Sequence, residues 1–129
     1  MSKLKSYAES VLFQSVISIM GGSCTPDSLA ALSENYISRL GNNDLPANLR
    51  KTLKDIKYNL IVLSDKNRKQ LFTHEVWENK THTLMTLLTE LYTDVVAWNA
   101  VEQYLTASEF LLVSQEQKAF QSTLHKVIN

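Results

Sequence analysis

Apolar residues recur along this chain at helical spacing, and the few interruptions mark where one helix stops and the next begins. Leu4, Ala8, Val11, Leu12, Val16 and Ile19 share one face of a helical period and predict a helix over residues 3–20. Gly21 and Gly22 follow, and a glycine with positive φ is the expected terminator there. Thr25 then stands before Pro26 and Asp27, in the order N-cap, first helical residue, acidic first turn. Leu29, Leu32, Tyr36 and Leu40 extend that second helix over residues 26–40, with Gly41 closing it. Asn42-Asn43-Asp44 reads as a turn, and Asp44 with Pro46 opens a third helix. Leu49, Leu53, Ile56, Leu60 and Leu63 give that helix a single apolar stripe. The polar run Ser64-Asp65-Lys66-Asn67 breaks it, with a bent continuation to Phe72 as the alternative.

A fourth helix begins between Asp65 and Glu75 and dominates the second half. Leu84, Met85, Leu87, Leu88, Leu91, Tyr92, Val95, Val96 and Trp98 fill about half of its wheel, with Thr86, Thr89, Glu90, Thr93 and Asp94 opposite. The phase slips near Asn99, where Val101 falls on the polar side and Glu102 on the apolar one, so a bend or an end is expected there. Thr106-Ala-Ser-Glu109 and Ser114-Gln-Glu-Gln117 have the spacing of capping boxes. The second precedes Phe120, Leu124, Val127 and Ile128, the stripe of a terminal helix. Strand-length alternation, hairpin dipeptides, internal repeats and linkers are all missing from the sequence. The expectation is an all-α chain: a compact bundle of four to six helices forming a single domain over residues 1–129.

Composition narrows the functional classes. The chain has 129 residues, 44% hydrophobic and 20% charged, the balance of a soluble globular protein that folds without staples. Its one cysteine, Cys24, rules out an internal disulfide and a multi-cysteine metal site, and is expected as a small thiol in a reducing compartment. The order of basic Met1–Lys5, apolar Val11–Met20 and Cys24 is similar to a lipoprotein signal. Glu9, Gln14, Ser15 and Ser18 interrupt its apolar core, so the segment reads as an amphipathic helix of a cytoplasmic protein. No run approaches the length of a membrane span. With three glycines there is no phosphate-binding loop, and no cofactor is expected.

Charge is segregated. The 13 cations and 13 anions cancel, which argues against a broad polyanion-binding surface. Yet residues 50–69 hold seven cations against two anions, and residues 70–117 hold seven anions against one cation. Arg50, Lys51, Lys54 and Lys57 on the third helix make a candidate face for an acidic protein partner, with nucleic acid ranked below it. Trp77, Tyr92, Trp98, Tyr104 and Phe110 cluster in the second half, and aromatics of this kind are enriched at interfaces, which singles out Trp77 and Trp98 as partner-binding candidates.

Three weaker patterns concern histidine. His74, Glu78 and His82, with Glu75 nearby, repeat at i, i+4, i+8, a spacing that lets one helix face chelate a divalent metal. Arg68-Lys-Gln-Leu-Phe-Thr-His74 resembles the Arg-x(4–6)-His signature of the HEPN ribonuclease superfamily, which is also helical. That resemblance covers seven residues and departs from the family at Lys69. It implies RNA cleavage at a dimer interface, with Arg68 holding the phosphate and His74 moving a proton. His82-Thr-Leu-Met is similar to the phosphorylated histidine of phosphotransfer bundles, without the lysine and glycine that follow it there.

The reading is therefore a non-enzymatic helical protein–protein interaction module: a small cytoplasmic regulator, adaptor, chaperone-like or inhibitor protein, acting on a protein partner or as a homodimer. A helical RNase-like or metal-dependent enzyme, and a nucleic-acid-binding module using the third helix, stand as alternatives.

Overall fold

The computed structural model describes the backbone of residues 2–128 and the side chains of residues 7–113. It is all-α: among the described residues there are five α-helices and three 3₁₀ turns, with no strand. The helices are α1 (Ser2–Gly21), α2 (Pro26–Asn35), α3 (Arg50–Leu63), α4 (Lys66–Lys69) and α5 (His74–Ile128). Among the described residues no helix is long and apolar enough to cross a membrane. The chain divides into two compact units, Met1–Val96 and Ala97–Asn129.

In the first unit the apolar periodicity becomes one core. Ala8, Leu12 and Ile19 of α1, Leu29 and Leu32 of α2, and Leu84, Leu88, Leu91 and Val95 of α5 are all buried. The stripe read for the third helix is kept whole: Leu49, Leu53, Ile56, Leu60 and Leu63 are all buried. Each such side chain contributes roughly 1.5–3 kcal/mol by leaving water. Buried polar groups are satisfied locally, since the Ser15 hydroxyl donates to the Val11 carbonyl and the Thr81 hydroxyl to that of Glu78.

The start of α2 is the one its sequence asks for. Thr25 is extended, as a residue before proline must be, and its hydroxyl accepts from the Ser28 backbone N–H at 3.1 Å. The Ser28 hydroxyl returns the favour, accepting from the Thr25 N–H at 2.9 Å. This cap, rather than a left-handed glycine, separates α1 from α2. The expected positive φ at Gly21 or Gly22 is absent; no glycine in the chain has one.

Helix two is shorter than its apolar spacing predicts. It ends at Asn35, Tyr36 leaves the helical region, and Ile37–Arg39 form a 3₁₀ turn. Three residues per turn put Ile37 and Leu40 on one side, and both are fully buried, so the core is filled without a longer α-helix. Gly41 does not close the helix. Its N–H donates to the Asp44 carboxylate at 2.7 Å and begins the next 3₁₀ turn, Asn42–Asp44. A further turn, Ala47–Leu49, leads into α3, which therefore begins at Arg50 rather than near Pro46.

Ser64–Asn67 does break the chain after α3. Asp65 caps the short α4 by accepting from the Asn67 N–H at 2.9 Å. The helix expected to begin between Asp65 and Glu75 is α5, starting at His74, with the Thr73 hydroxyl accepting from the Val76 N–H.

α5 continues through Ile128, so the helix end expected near Asn99 does not occur. Thr106 is no cap. Its hydroxyl donates to the Glu102 carbonyl at 2.9 Å, as Thr83, Thr89 and Thr93 do to the carbonyls four residues before them. A threonine satisfied this way sits inside a helix, and no glycine or proline interrupts residues 97–113. The phase slip at Asn99 thus changes which side of an intact helix is apolar. The side chains of Leu4, of the Ser114–Gln117 pattern and of Phe120, Leu124, Val127 and Ile128 lie outside the described residues.

Candidate functional site

The basic residues of α3 separate into two kinds. Arg50 Nε donates to the Leu45 carbonyl at 3.2 Å, and Lys57 Nζ to the Leu40 carbonyl at 2.6 Å. Both cations satisfy carbonyls of the irregular segment before α3, where the 3₁₀ turns leave acceptors unpaired. Lys51 and Lys54 are solvent-exposed. Tyr58 and Ile61, one turn and two turns further along the same side, are also exposed.

The junction of α4 and α5 gathers cations around an aromatic pair. Phe72 and Trp77 have ring centroids 6.4 Å apart. Lys69 Nζ lies 5.2 Å from the Trp77 ring centroid and Lys80 Nζ 5.3 Å from that of Phe72. Lys66 pairs with Asp27 at 3.0 Å, tying α4 to α2. Trp77 itself is only 7% exposed, and its indole N–H donates to the Cys24 carbonyl at 3.3 Å. As a partner-binding candidate Trp77 is therefore corrected: it is a core residue that anchors the loop before α2. Trp98 is half-buried.

The histidine patterns come apart. His74 Nε2 and Glu78 Oε1 lie 2.9 Å apart on the exposed side of α5. His82 is exposed further along, at a shallow groove of about 290 Å³ lined by Met20, Met85, Thr86, Thr89 and Glu90. Among the described residues no three His, Cys, Asp or Glu side chains gather where they could hold a metal ion, so the His74, Glu78, His82 set is not assembled. Arg68 Nε points to Asp65 at 3.7 Å while His74 engages Glu78, and among the described contacts none joins Arg68 to His74. An exposed contact of either kind contributes little to stability.

Cys24 is half-buried beside a cavity of about 40 Å³, with Ser18, Ser23 and Ser28 among its lining residues. Burial pushes its thiol above the ordinary value. A thiol shifted upward is less ionised at neutral pH, the opposite of what a nucleophilic cysteine needs.

What remains is an exposed apolar surface in the second unit. In the second unit Val101, Tyr104, Leu105, Phe110, Leu111, Leu112 and Val113 are between 49% and 71% exposed. Phe110–Val113 are four consecutive residues of a helix, so they point around its whole circumference and no single face of that helix can shelter them. A run of this kind left in water is a liability unless something covers it. The signal was present in the sequence: an apolar run with no 3.6-residue alternation cannot belong to a one-sided amphipathic helix.

No family model, no curated protein and no solved structure matches this chain. The class defined by its own residues is an all-α chain with an uncovered apolar helix segment, and the functional reading rests on that geometry.

Proposed function

We propose that this protein is a non-enzymatic helical interaction module, whose docking element is the apolar segment of α5 between Val101 and Val113. The observation that carries the reading is the exposed run Phe110-Leu111-Leu112-Val113, each side chain more than half exposed on an intact helix. Burying that run against a protein partner returns the free energy that its hydration costs, and aromatic and aliphatic anchors of this type dominate interface energetics. Four of the candidate residues are already engaged within the chain. Arg50 and Lys57 are engaged by backbone carbonyls, and Arg68 and His74 by separate carboxylates.

The test is a quantitative affinity capture of the full chain beside a variant carrying Phe110→Ser, Leu111→Ser, Leu112→Ser and Val113→Ser. All four residues are exposed, so the core of the first unit is untouched and the helical signal of that unit stays in place. Recovery of specifically bound protein, including untagged copies of the chain itself, is expected to fall at least ~10-fold, the loss of more than 1.4 kcal/mol of binding. Equal recovery by both proteins would refute the reading.

A further inference from the structure

The exposed apolar residues of the second unit are not scattered. Val101, Tyr104, Leu105, Leu111 and Leu112 fall in one continuous stripe of α5, with the partly exposed Ser108 inside it, and Phe110 and Val113 lie off it. Within the stripe, Leu105 and Leu112 are seven residues apart, and so are Val101 and Ser108. That is the repeat of a helix that pairs with another helix of the same kind. Resting on the interaction-module reading, we infer that the partner of this stripe is a second copy of the same chain, joined through a parallel pairing of the two α5 segments.

Two features point to self-pairing in that orientation. The first is the edges of the stripe. Glu102 and Glu109 line one edge, Tyr104 and Leu111 the other. In a parallel pair each edge meets the opposite edge of its neighbour, so each Glu109 lies beside the other copy's Tyr104 and the carboxylates stay on separate sides. In an antiparallel pair the two acidic edges face each other, and like charges brought together oppose association. The second is size. At 49–71% exposure the five large side chains of the stripe present on the order of 500 Å² of apolar surface per copy, against the ~800 Å² per partner of a standard interface. The pair is therefore a reversible dimer with micromolar rather than nanomolar dissociation. Ser108, small and near the middle of the stripe, lets the two backbones approach there.

The experiment is sedimentation equilibrium and native mass measurement of the full chain across micromolar concentrations, with three variants. The wild type is expected to convert from monomer to dimer in this range. Leu105→Glu places a charge inside the stripe and is expected to weaken the dimer roughly 30-fold or more. Gln103→Glu, which places the same charge on an exposed position off the stripe, is expected to leave the dissociation constant within about twofold. Ser108→Cys on a Cys24→Ser background is expected to cross-link two copies on mild oxidation, since parallel pairing sets the two introduced thiols face to face. A strict monomer overturns the inference, as does equal weakening by Leu105→Glu and Gln103→Glu, or a dimer whose introduced thiols stay reduced. If the chain is monomeric while the four-serine variant still loses a captured partner, the interaction-module reading stands and the second copy alone is refuted.

Discussion

Two stretches of α5 carry the same residue type to opposite ends. Leu84, Leu88 and Leu91 are fully buried, whereas Leu105, Leu111 and Leu112 are about half exposed or more. Helix propensity and hydrophobicity cannot separate these leucines, because both sets sit in one unbroken helix. The difference is partnership. Within the first unit the buried leucines meet the faces of α1, α2 and α3 in one core, and the side of α5 they occupy is the one its periodicity predicts. In the second unit the apolar positions are out of phase with that side and more numerous than one side can hold. Hydrophobic residues in a sequence announce that a surface will be covered, not that this chain will cover it.

The largest expected effect tests that contrast directly. Leu88→Ala leaves a cavity in a packed core and is expected to lower unfolding free energy by ~2–5 kcal/mol. Leu112→Ala, measured at a concentration below any self-association, is expected to stay within about 0.5 kcal/mol of wild type. Denaturant titration of both variants decides the matter. A comparable loss in each would erase the distinction between the two stretches.

Threonine sharpens the same comparison on a smaller scale. Thr25 caps α2, while Thr106 lies within α5 and bonds back to Glu102. Thr25→Ala is expected to cost ~1 kcal/mol, since it strips a partner from an N-terminal amide. Thr106→Ala is expected to be neutral or stabilising by a few tenths of a kcal/mol, because alanine is the better helix former and no amide depends on that hydroxyl. Were Thr106→Ala to cost as much as Thr25→Ala, Thr106 would be acting as the cap that its sequence pattern suggests, and α5 would be interrupted there.

The helical class, the Thr25 cap and the Leu49–Leu63 stripe were legible because each is a local pattern with a single physical solution. Tertiary context decided the rest. Lys57 looks like one cation of a charged face, yet it bonds a carbonyl seventeen residues earlier, a partner no helical wheel contains. Trp77 reads as an interface aromatic until the start of α5 is placed; then its spacing of seven residues from the buried Leu84 puts it in the core. Thr106 and Glu109 match a capping box, but that pattern is also what a helix interior looks like when its threonine bonds backward. The Phe110–Val113 run follows the Thr106–Glu109 pattern in the sequence as the start of a new helix would, and its exposure along a continuous one appears only in the structure.

The smallest effect concerns the thiol of the first unit. Burial raises the Cys24 thiol above its ordinary value, so in the folded chain less of it is thiolate at a given pH. Alkylation by iodoacetamide at pH 8 is therefore expected to run several-fold slower at Cys24 than at Gln103→Cys, placed on an exposed position of the second unit in a Cys24→Ser background. The sign for stability follows from the same shift. As pH rises past the ordinary thiol value the unfolded chain loses its proton first, so the contribution is complete below that value and disappears through the higher folded one. Because Cys24 is only partly buried, the rate comparison is the more sensitive readout. Equal alkylation rates at the two positions would mean that the segment between α1 and α2 admits solvent as freely as the exposed helix, and the contrast between a packed first unit and an uncovered second would fail at that point.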